Sequence, residues 1–198
     1  MMQTIRLRLA GLVLLLLSTS CGINNLPTFD EGVKAAWSQV QNQYQRRADL
    51  IPNLVATVKG YAEQERETLL AVTEARAKVG SMQVDPALID DPARLQQFEQ
   101  AQSQLSGALS RLMVVVEKYP DLKSNQNFLA LQSQLEGTEN RISVARRDYI
   151  NSMAQYNTEL RTYPGKLWHG WLYPELTVRE DYYEATAASA DQAPVVAF

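Results

Sequence analysis

Cysteine and histidine are almost absent from this sequence, and their scarcity excludes several classes of protein. The chain has one cysteine, Cys21, and one histidine, His169. A disulfide needs two cysteines, and tightly bound transition metals take several histidine or cysteine ligands. No glycine-rich phosphate-binding loop occurs either. We therefore expect no disulfide, no metal and no cofactor, so the fold must be stabilised by packing.

Concentrated positive charge is also missing. The formal net charge is -3, and the lysines and arginines are scattered along the chain. Nucleic acids require a concentrated basic face, so we expect no nucleic-acid partner. Carboxylates pair at Asp90 and Asp91 and at Glu136 and Glu139, but a proline-marked linker and a helix face are usual places for solvated carboxylates. The sequence contains no convergent catalytic set, and we expect no enzyme.

Long apolar runs are missing as well, and the one notable run lies near the N-terminus. Arg6 and Arg8 precede the nine apolar residues 9–17, and small residues 18–20 lead into Cys21. This order is typical of an export signal. A membrane span takes about 20 apolar residues, so the run is too short for a regular span.

Residues 17–21 resemble a bacterial lipobox, in which a small residue precedes a cysteine that is acylated and becomes the mature N-terminus. We therefore interpret residues 1–20 as a signal peptide and Cys21 as the attachment point of acyl chains such as palmitate, which anchor a protein stably when there are two or three. An uncleaved anchor is the alternative, because Ser18 stands where a lipobox usually has leucine. We expect a location in the bacterial cell envelope, outside the cytoplasm. Gly22 is not the aspartate that retains many Gram-negative lipoproteins in the inner membrane, so an outer-membrane location fits a Gram-negative source.

Apolar residues after the signal recur in alternating steps of three and four, as they do along one face of a helix. We call such a row of apolar residues a seam. Three seams run from Val33 to Val79, from Leu95 to Tyr119 and from Phe128 to Tyr163. A short aromatic segment follows Pro164. The pattern predicts an all-α fold, an antiparallel, coiled-coil-like bundle of three long helices plus a short fourth.

The first seam predicts one helix over residues 29–79, on the order of 75 Å long. Pro52 lies inside it and predicts a kink, because proline has no N–H to donate. A turn at residues 51–53 is the alternative. Charged Glu65 and Arg76 are the two interruptions of the seam.

Proline and aspartate mark the start of the second helix, and composition divides the chain into segments. Pro92 preceded by Asp91 is typical of a helix start. The predicted segments are a signal peptide at 1–20, a lipid-anchored linker at 21–29, a helical bundle at 30–183 and a flexible tail at 184–198.

Several motifs occur in the order that is typical of the LemA family, and the chain resembles that family over about residues 30–198. The motifs are AWSQVQ at 36–41, QRRADLIPNLV at 45–55, VKGYA at 58–62, YPDLK at 119–123, LEGTENRI at 135–142 and ARRDY at 145–149. The resemblance implies a LemA-like four-helix bundle on a membrane anchor, outside the cytoplasm, with no established enzymatic activity. It also implies a context of membrane organisation, because one branch of the family is associated with magnetosomes.

From these features we expect a membrane-anchored scaffold or adaptor that binds an envelope protein. The alternative is a regulator or accessory subunit of a membrane peptidase or another envelope enzyme, because some members of the family are encoded near membrane zinc peptidases. That regulator would act through its C-terminal tail.

A set of polar residues flanks the first and third seams at matching heights. Two interpretations are open: an interhelical network that fixes the register of the helices, or a polar groove near Pro52 that binds a partner. The set comprises Arg46, Arg47, Asp49, Asn53, Glu136, Glu139, Asn140, Arg141, Arg146, Arg147 and Asp148.

Two further segments are candidates for contacts. The aromatic residues Trp168, Trp171, Tyr173, Tyr182 and Tyr183 form either a cap on the bundle or an exposed surface for a membrane or a protein. The last residues form either a frayed end or a strand that adds to a partner's sheet. They are Pro194, Val195, Val196, Ala197 and Phe198.

Overall fold

The chain is helical in every part that the structure describes. The computed structural model describes residues 22–82 and 85–179. These residues contain no strand and form six α-helices and one 3-10 helix: α1 (Asn25–Lys59), α2 (Arg66–Gly80), the 3-10 helix (Pro86–Asp90), α3 (Pro92–Val116), α4 (Pro120–Lys123), α5 (Gln126–Arg161) and α6 (Gly165–Leu172). The predicted all-α bundle is confirmed, including its short helix after Pro164.

Two predicted features lie outside the described residues. The signal peptide with Cys21 falls in residues 1–21, and the tail predicted at 184–198 falls in residues 180–198, as do Tyr182 and Tyr183 of the predicted aromatic segment. Within the described ranges, no helix has both the length and the apolar content that crossing a bilayer requires.

The described residues fall into two compact units. Unit 1 contains residues 22–33 and 151–179, and unit 2 contains residues 34–150. The first turns of α1 and the last turns of α5 therefore belong to unit 1, together with α6. Since α1 already begins at Asn25, the second half of the predicted linker at 21–29 is helical.

The single helix predicted over residues 29–79 is wrong. α1 ends at Lys59, and residues 60–65 turn before α2 begins. The seam residues Ala62 and Leu69 are nevertheless buried in the same core. Because the interval across the turn keeps the seven-residue spacing, the apolar pattern alone does not distinguish this turn from a continuing helix.

The turn between α1 and α2 is fixed by hydrogen bonds to the segment after α3. The hydroxyl of Tyr119 donates to Glu65 Oε1 over 3.0 Å, and Gln64 Nε2 donates to the same hydroxyl over 3.0 Å. Asn125 Nδ2 donates to the hydroxyl of Tyr61 over 2.9 Å. Partial burial, reinforced by the carboxylate of Glu65, raises the pKa of Tyr119 above its usual value of 10.0. Tyr119 is therefore a donor at neutral pH.

The core of unit 2 combines apolar residues from α1, α2, α3, α4 and α5. Aromatic rings add directional contacts. The fully buried Trp37 meets Phe98 at 6.0 Å, edge to face, and Tyr149 at 5.4 Å. Tyr44 meets Phe98 at 5.4 Å. Each such pair contributes about 0.5–1.5 kcal/mol beyond the area it buries, so these rings hold α1, α3 and α5 together.

The predicted start of the second helix is confirmed in its detail. α3 begins at Pro92, and the backbone N–H of Arg94 donates to Asp91 Oδ1 over 3.1 Å. This bond satisfies one of the N–H groups that a helix start leaves open. Asp91 therefore has a structural role.

α1 continues through Pro52, as the kink interpretation predicts. Proline at 52 has no N–H to donate to the carbonyl of Ala48 one turn earlier. Arg76 of α2 donates its Nε to that carbonyl over 3.3 Å. Arg76, one of the two charged residues that interrupt the seam, thus supplies the hydrogen-bond donor that Pro52 lacks.

We predict that Pro52 and Arg76 are energetically coupled. Pro52→Ala restores a backbone donor and should raise the free energy of unfolding by about 1–3 kcal/mol. Arg76→Met should lower the free energy of unfolding by roughly 1 kcal/mol in the parent chain. The loss should be clearly smaller in the Pro52→Ala background, because the new backbone N–H of residue 52 then donates to the carbonyl of Ala48. Urea unfolding of the four proteins measures the coupling. Equal costs of Arg76→Met in both backgrounds would contradict it.

Candidate functional site

The guanidinium of Arg47 lies in the interior of unit 2, and the side chain is 1% exposed. Nη1 donates to Glu139 Oε1 over 2.6 Å and to Ser106 Oγ over 2.8 Å. Nη2 donates to both the side-chain and the backbone oxygen of Gln102. These bonds connect α1, α3 and α5 at one height.

The surroundings of Arg47 are suited to a buried cation. The guanidinium lies 5.2 Å from the ring centroid of Tyr44, a distance typical of a cation–π contact. The Glu139 side chain is 47% exposed, so only one member of the ion pair is fully desolvated. A buried charge that loses its partners is strongly destabilising, and the pairing therefore fixes how the three helices align.

The polar set predicted from the sequence is mostly solvated. The structure brings Arg47 and Glu139 together, as the interhelical network predicts, and leaves Arg146 half-buried. The exposed members are Arg46, Asp49, Asn53, Glu136, Asn140, Arg141, Arg147 and Asp148. Their exposure fits solvated helix faces, and the polar groove near Pro52 stays a prediction.

Sequence reasoning missed the contribution of α3 to this network. Gln102 and Ser106 do not belong to the predicted polar set, although Gln102 occupies an apolar position of the second seam. A glutamine at a seam position has to be satisfied inside the core. That signal was present in the sequence, whereas the pairing partner on α1 was not deducible from it.

A cleft of about 660 Å³ opens in unit 2 beside the Arg47 network. Its floor includes the apolar side chains Tyr44, Val79, Met82 and Phe98. Its polar lining consists largely of amides from α1 and α3, with one cation from α2 and one hydroxyl after it, and comprises Gln41, Asn42, Gln45, Gln102, Arg76 and Ser81.

One donor in this lining lacks an acceptor. Gln102 is 4% exposed, and its Nε2 has no hydrogen-bond partner among the residues that the structure describes. Its Oε1 is occupied by Arg47, which fixes the orientation of the amide. A buried amide N–H₂ without an acceptor is costly to the fold, and this nitrogen has almost no surface accessible from the cleft.

A second polar network lies within unit 1 and was also missed. Arg179 Nη2 donates to Asp30 Oδ1 over 3.0 Å, and both side chains are largely buried. The side chain of Asn157 exchanges two hydrogen bonds with the backbone of Arg179, of 2.6 and 3.0 Å. The hydroxyl of Tyr156 donates to the carbonyl of Thr177 over 3.0 Å. The segment that follows α6 is thereby held against α1 and α5.

The predicted aromatic segment divides into a half-buried and an exposed part. Trp168 and Tyr173 are half-buried, whereas Trp171 is 77% exposed. His169 Nε2 lies 2.7 Å from the carbonyl oxygen of Leu176, so the neutral ring carries its proton there. The histidine thus has a structural partner.

Catalytic groups do not converge in the described part of the chain. No cluster of three or more histidine, cysteine or carboxylate side chains suited to a metal occurs in residues 22–82 and 85–179. Asp91 caps α3, Glu139 pairs with Arg47, and Glu136 accepts from Gln132 over 2.9 Å. What the arrangement offers chemically is hydrogen bonding to a ligand in the cleft.

We predict that the two adjacent arginines of α1 differ sharply in their contribution to stability. Arg47→Met leaves the oxygen atoms of Gln102 without their donor and should lower the free energy of unfolding by about 2–3 kcal/mol. Arg46→Met changes an exposed side chain and should stay within about 0.5 kcal/mol of the parent. Denaturant unfolding followed by circular dichroism compares the two. A similar loss in both variants would contradict the central role of Arg47.

Comparison with known proteins places the chain in a family. The family model described as LemA family matches residues 36–198. The chain is 26% identical over 140 residues to Protein LemA of Metamycoplasma hominis, across 71% of this chain and 60% of the relative. It is 25% identical over 181 residues to Magnetosome protein MamQ 2 of Paramagnetospirillum magneticum, across 83% of this chain and 65% of the relative.

A third relative shows the same degree of similarity. Magnetosome protein MamQ of Magnetospirillum gryphiswaldense is 26% identical over 157 residues, across 71% of this chain and 58% of the relative. The chain thus spans less than two thirds of the length of each of these relatives. The match of the family model over most of the chain shows that it belongs to the LemA family.

Proposed function

We propose that the protein is a membrane-tethered adaptor of the bacterial cell envelope, exposed outside the cytoplasm, and that it acts by binding and not by catalysis. In this proposal the cleft of unit 2 binds an extended peptide segment of another envelope protein. The observation that carries the proposal is the lining of the cleft, which combines three amide side chains of α1 with the aromatic rings of Tyr44 and Phe98.

Peptide is the ligand class that the lining favours. A glutamine or asparagine side chain offers one carbonyl oxygen and one N–H₂ group, the same pair that a peptide group offers. Gln41, Asn42 and Gln45 line the cleft within little more than one turn of α1, and the N–H₂ groups of Gln41 and Gln45 also donate to the carbonyl of Asp85 and to Asp49. The aromatic floor adds contact area for apolar side chains of a bound segment.

The tether rests on sequence. Residues 1–20 have the order of an export signal, and Cys21 follows at the place of lipid attachment in a lipobox. The described helices supply no span of their own. Two of the relatives are named magnetosome proteins, which supports a role of this chain at a membrane as well.

Site-specific photo-crosslinking in intact cells tests the adaptor proposal. A photoreactive phenylalanine analogue replaces Gln45, which is exposed and lines the cleft, in the full chain. We expect an adduct with an envelope protein, and mass spectrometry of the digested adduct should locate the crosslink in a segment without regular secondary structure. The same analogue at Gln134, an exposed glutamine of α5 outside the cleft lining, is the matched control and should give no such adduct.

Filling the cleft provides the second control. Ala77 is exposed and lines the cleft, so Ala77→Trp places a large ring there without removing a hydrogen bond of the Arg47 network. The adduct from Gln45 should disappear in this variant while the helical circular dichroism is unchanged. Equal adducts from Gln45 and Gln134, or an adduct that survives the filled cleft, would rule out the cleft as the binding site.

A further inference from the structure

α6 leaves an apolar face exposed in unit 1. We use the term α6 face for Leu167, Trp171 and Leu172 of α6, together with Tyr163 just before the helix; these residues are 43%, 77%, 48% and 77% exposed. Leu167 and Trp171 are four residues apart and therefore lie on the same side of the helix. Large apolar side chains grouped in this way on a surface mark a contact with a membrane or a partner.

The helix that carries this face is held firmly in place. A Cβ on Gly165 would clash with the carbonyl oxygen of Glu159, so the absence of a side chain allows α6 to pack against the end of α5. The hydrogen-bonding contact between His169 and Leu176 fixes its other end. Trp171 is thus exposed although the helix that carries it is packed in place.

The start of the described residues lies beside this face. A Cβ on Gly22, whose φ is 87°, would lie 3.2 Å from Cγ of Pro164, the residue before α6. Asn25 Nδ2 donates to Glu159 Oε1 over 3.1 Å, which holds the first turn of α1 to the end of α5. Gly22 therefore lies at the base of α6, and Cys21 is one peptide bond before it.

The composition of the face suits the boundary between lipid headgroups and acyl chains. Tryptophan and tyrosine are enriched at that boundary, because their rings are apolar and carry one polar group. Leucine contributes apolar area, and a lysine such as the exposed Lys166 extends its charged end towards headgroups.

We propose that the α6 face docks on the surface of the same lipid bilayer to which Cys21 tethers the chain, with Trp171 inserted at the headgroup boundary. The inference rests on the tether of the proposed function. A tether beside the face confines it to the membrane surface, so a small apolar area suffices for docking. The bilayer is favoured over a second copy of the chain because the proposed acylation site, Cys21, directly precedes Gly22, which lies against Pro164.

Tryptophan quenching by brominated lipids tests the docking. The full chain, purified from membranes, is reconstituted into vesicles of phosphatidylethanolamine and phosphatidylglycerol with or without bromine near the top of the acyl chains. Flotation of the vesicles reports the tether, and loss of fluorescence reports contact between tryptophan and lipid. We expect the emission of Trp171 to fall by roughly half in brominated vesicles, because a ring at the headgroup boundary lies within reach of that part of the acyl chains.

Two conservative variants identify the tryptophan that gives the quenching signal. Trp171→Phe should abolish the quenching, whereas Trp168→Phe should retain it, since Trp168 is half-buried and Trp37 is fully buried. A protein that floats with the vesicles but shows no quenching of Trp171 would overturn the docking and leave the tether intact. A protein that does not float would overturn the tether and the docking with it.

Discussion

Arg47 carries a positive charge into the interior of unit 2, where a guanidinium has to be surrounded by acceptors. It obtains them from Glu139 on α5 and from Gln102 and Ser106 on α3. A shift of any of the three helices along its axis would leave the charge unpaired in a region of low polarity, so the alignment of the helices depends on this one residue. Apolar seams alone tolerate such shifts more readily, because one apolar contact replaces another.

Arg47 also affects the lining of the cleft. Since Arg47 donates to the oxygen of the Gln102 amide, it fixes the orientation of a side chain that lines the cleft. Of the candidate acid–base residues, Asp91 caps α3, Glu139 pairs with Arg47 and His169 contacts the carbonyl oxygen of Leu176. The proposed function and the further inference use two surfaces of the described residues, the cleft of unit 2 and the α6 face of unit 1.

Much of the fold was predictable because seams of apolar residues determine where helices run. The start of α3 followed from Asp91 and Pro92, and the end of α5 from Pro164. The turn at residues 60–65 was not predictable from the seam, which continues across it. Ion pairs between residues distant in sequence, such as Asp30 and Arg179, were not predictable for another reason. A single charged residue in a sequence does not indicate which segment supplies its partner.

The proposed adaptor role and the membrane docking of α6 both depend on a lipid tether at Cys21. Mass spectrometry of the N-terminal peptide, recovered from the membrane fraction, tests the tether. We expect a peptide that begins at Cys21 and carries the added mass of its acyl chains. A membrane-derived peptide that retains residues 1–20, or an unmodified Cys21, would contradict it.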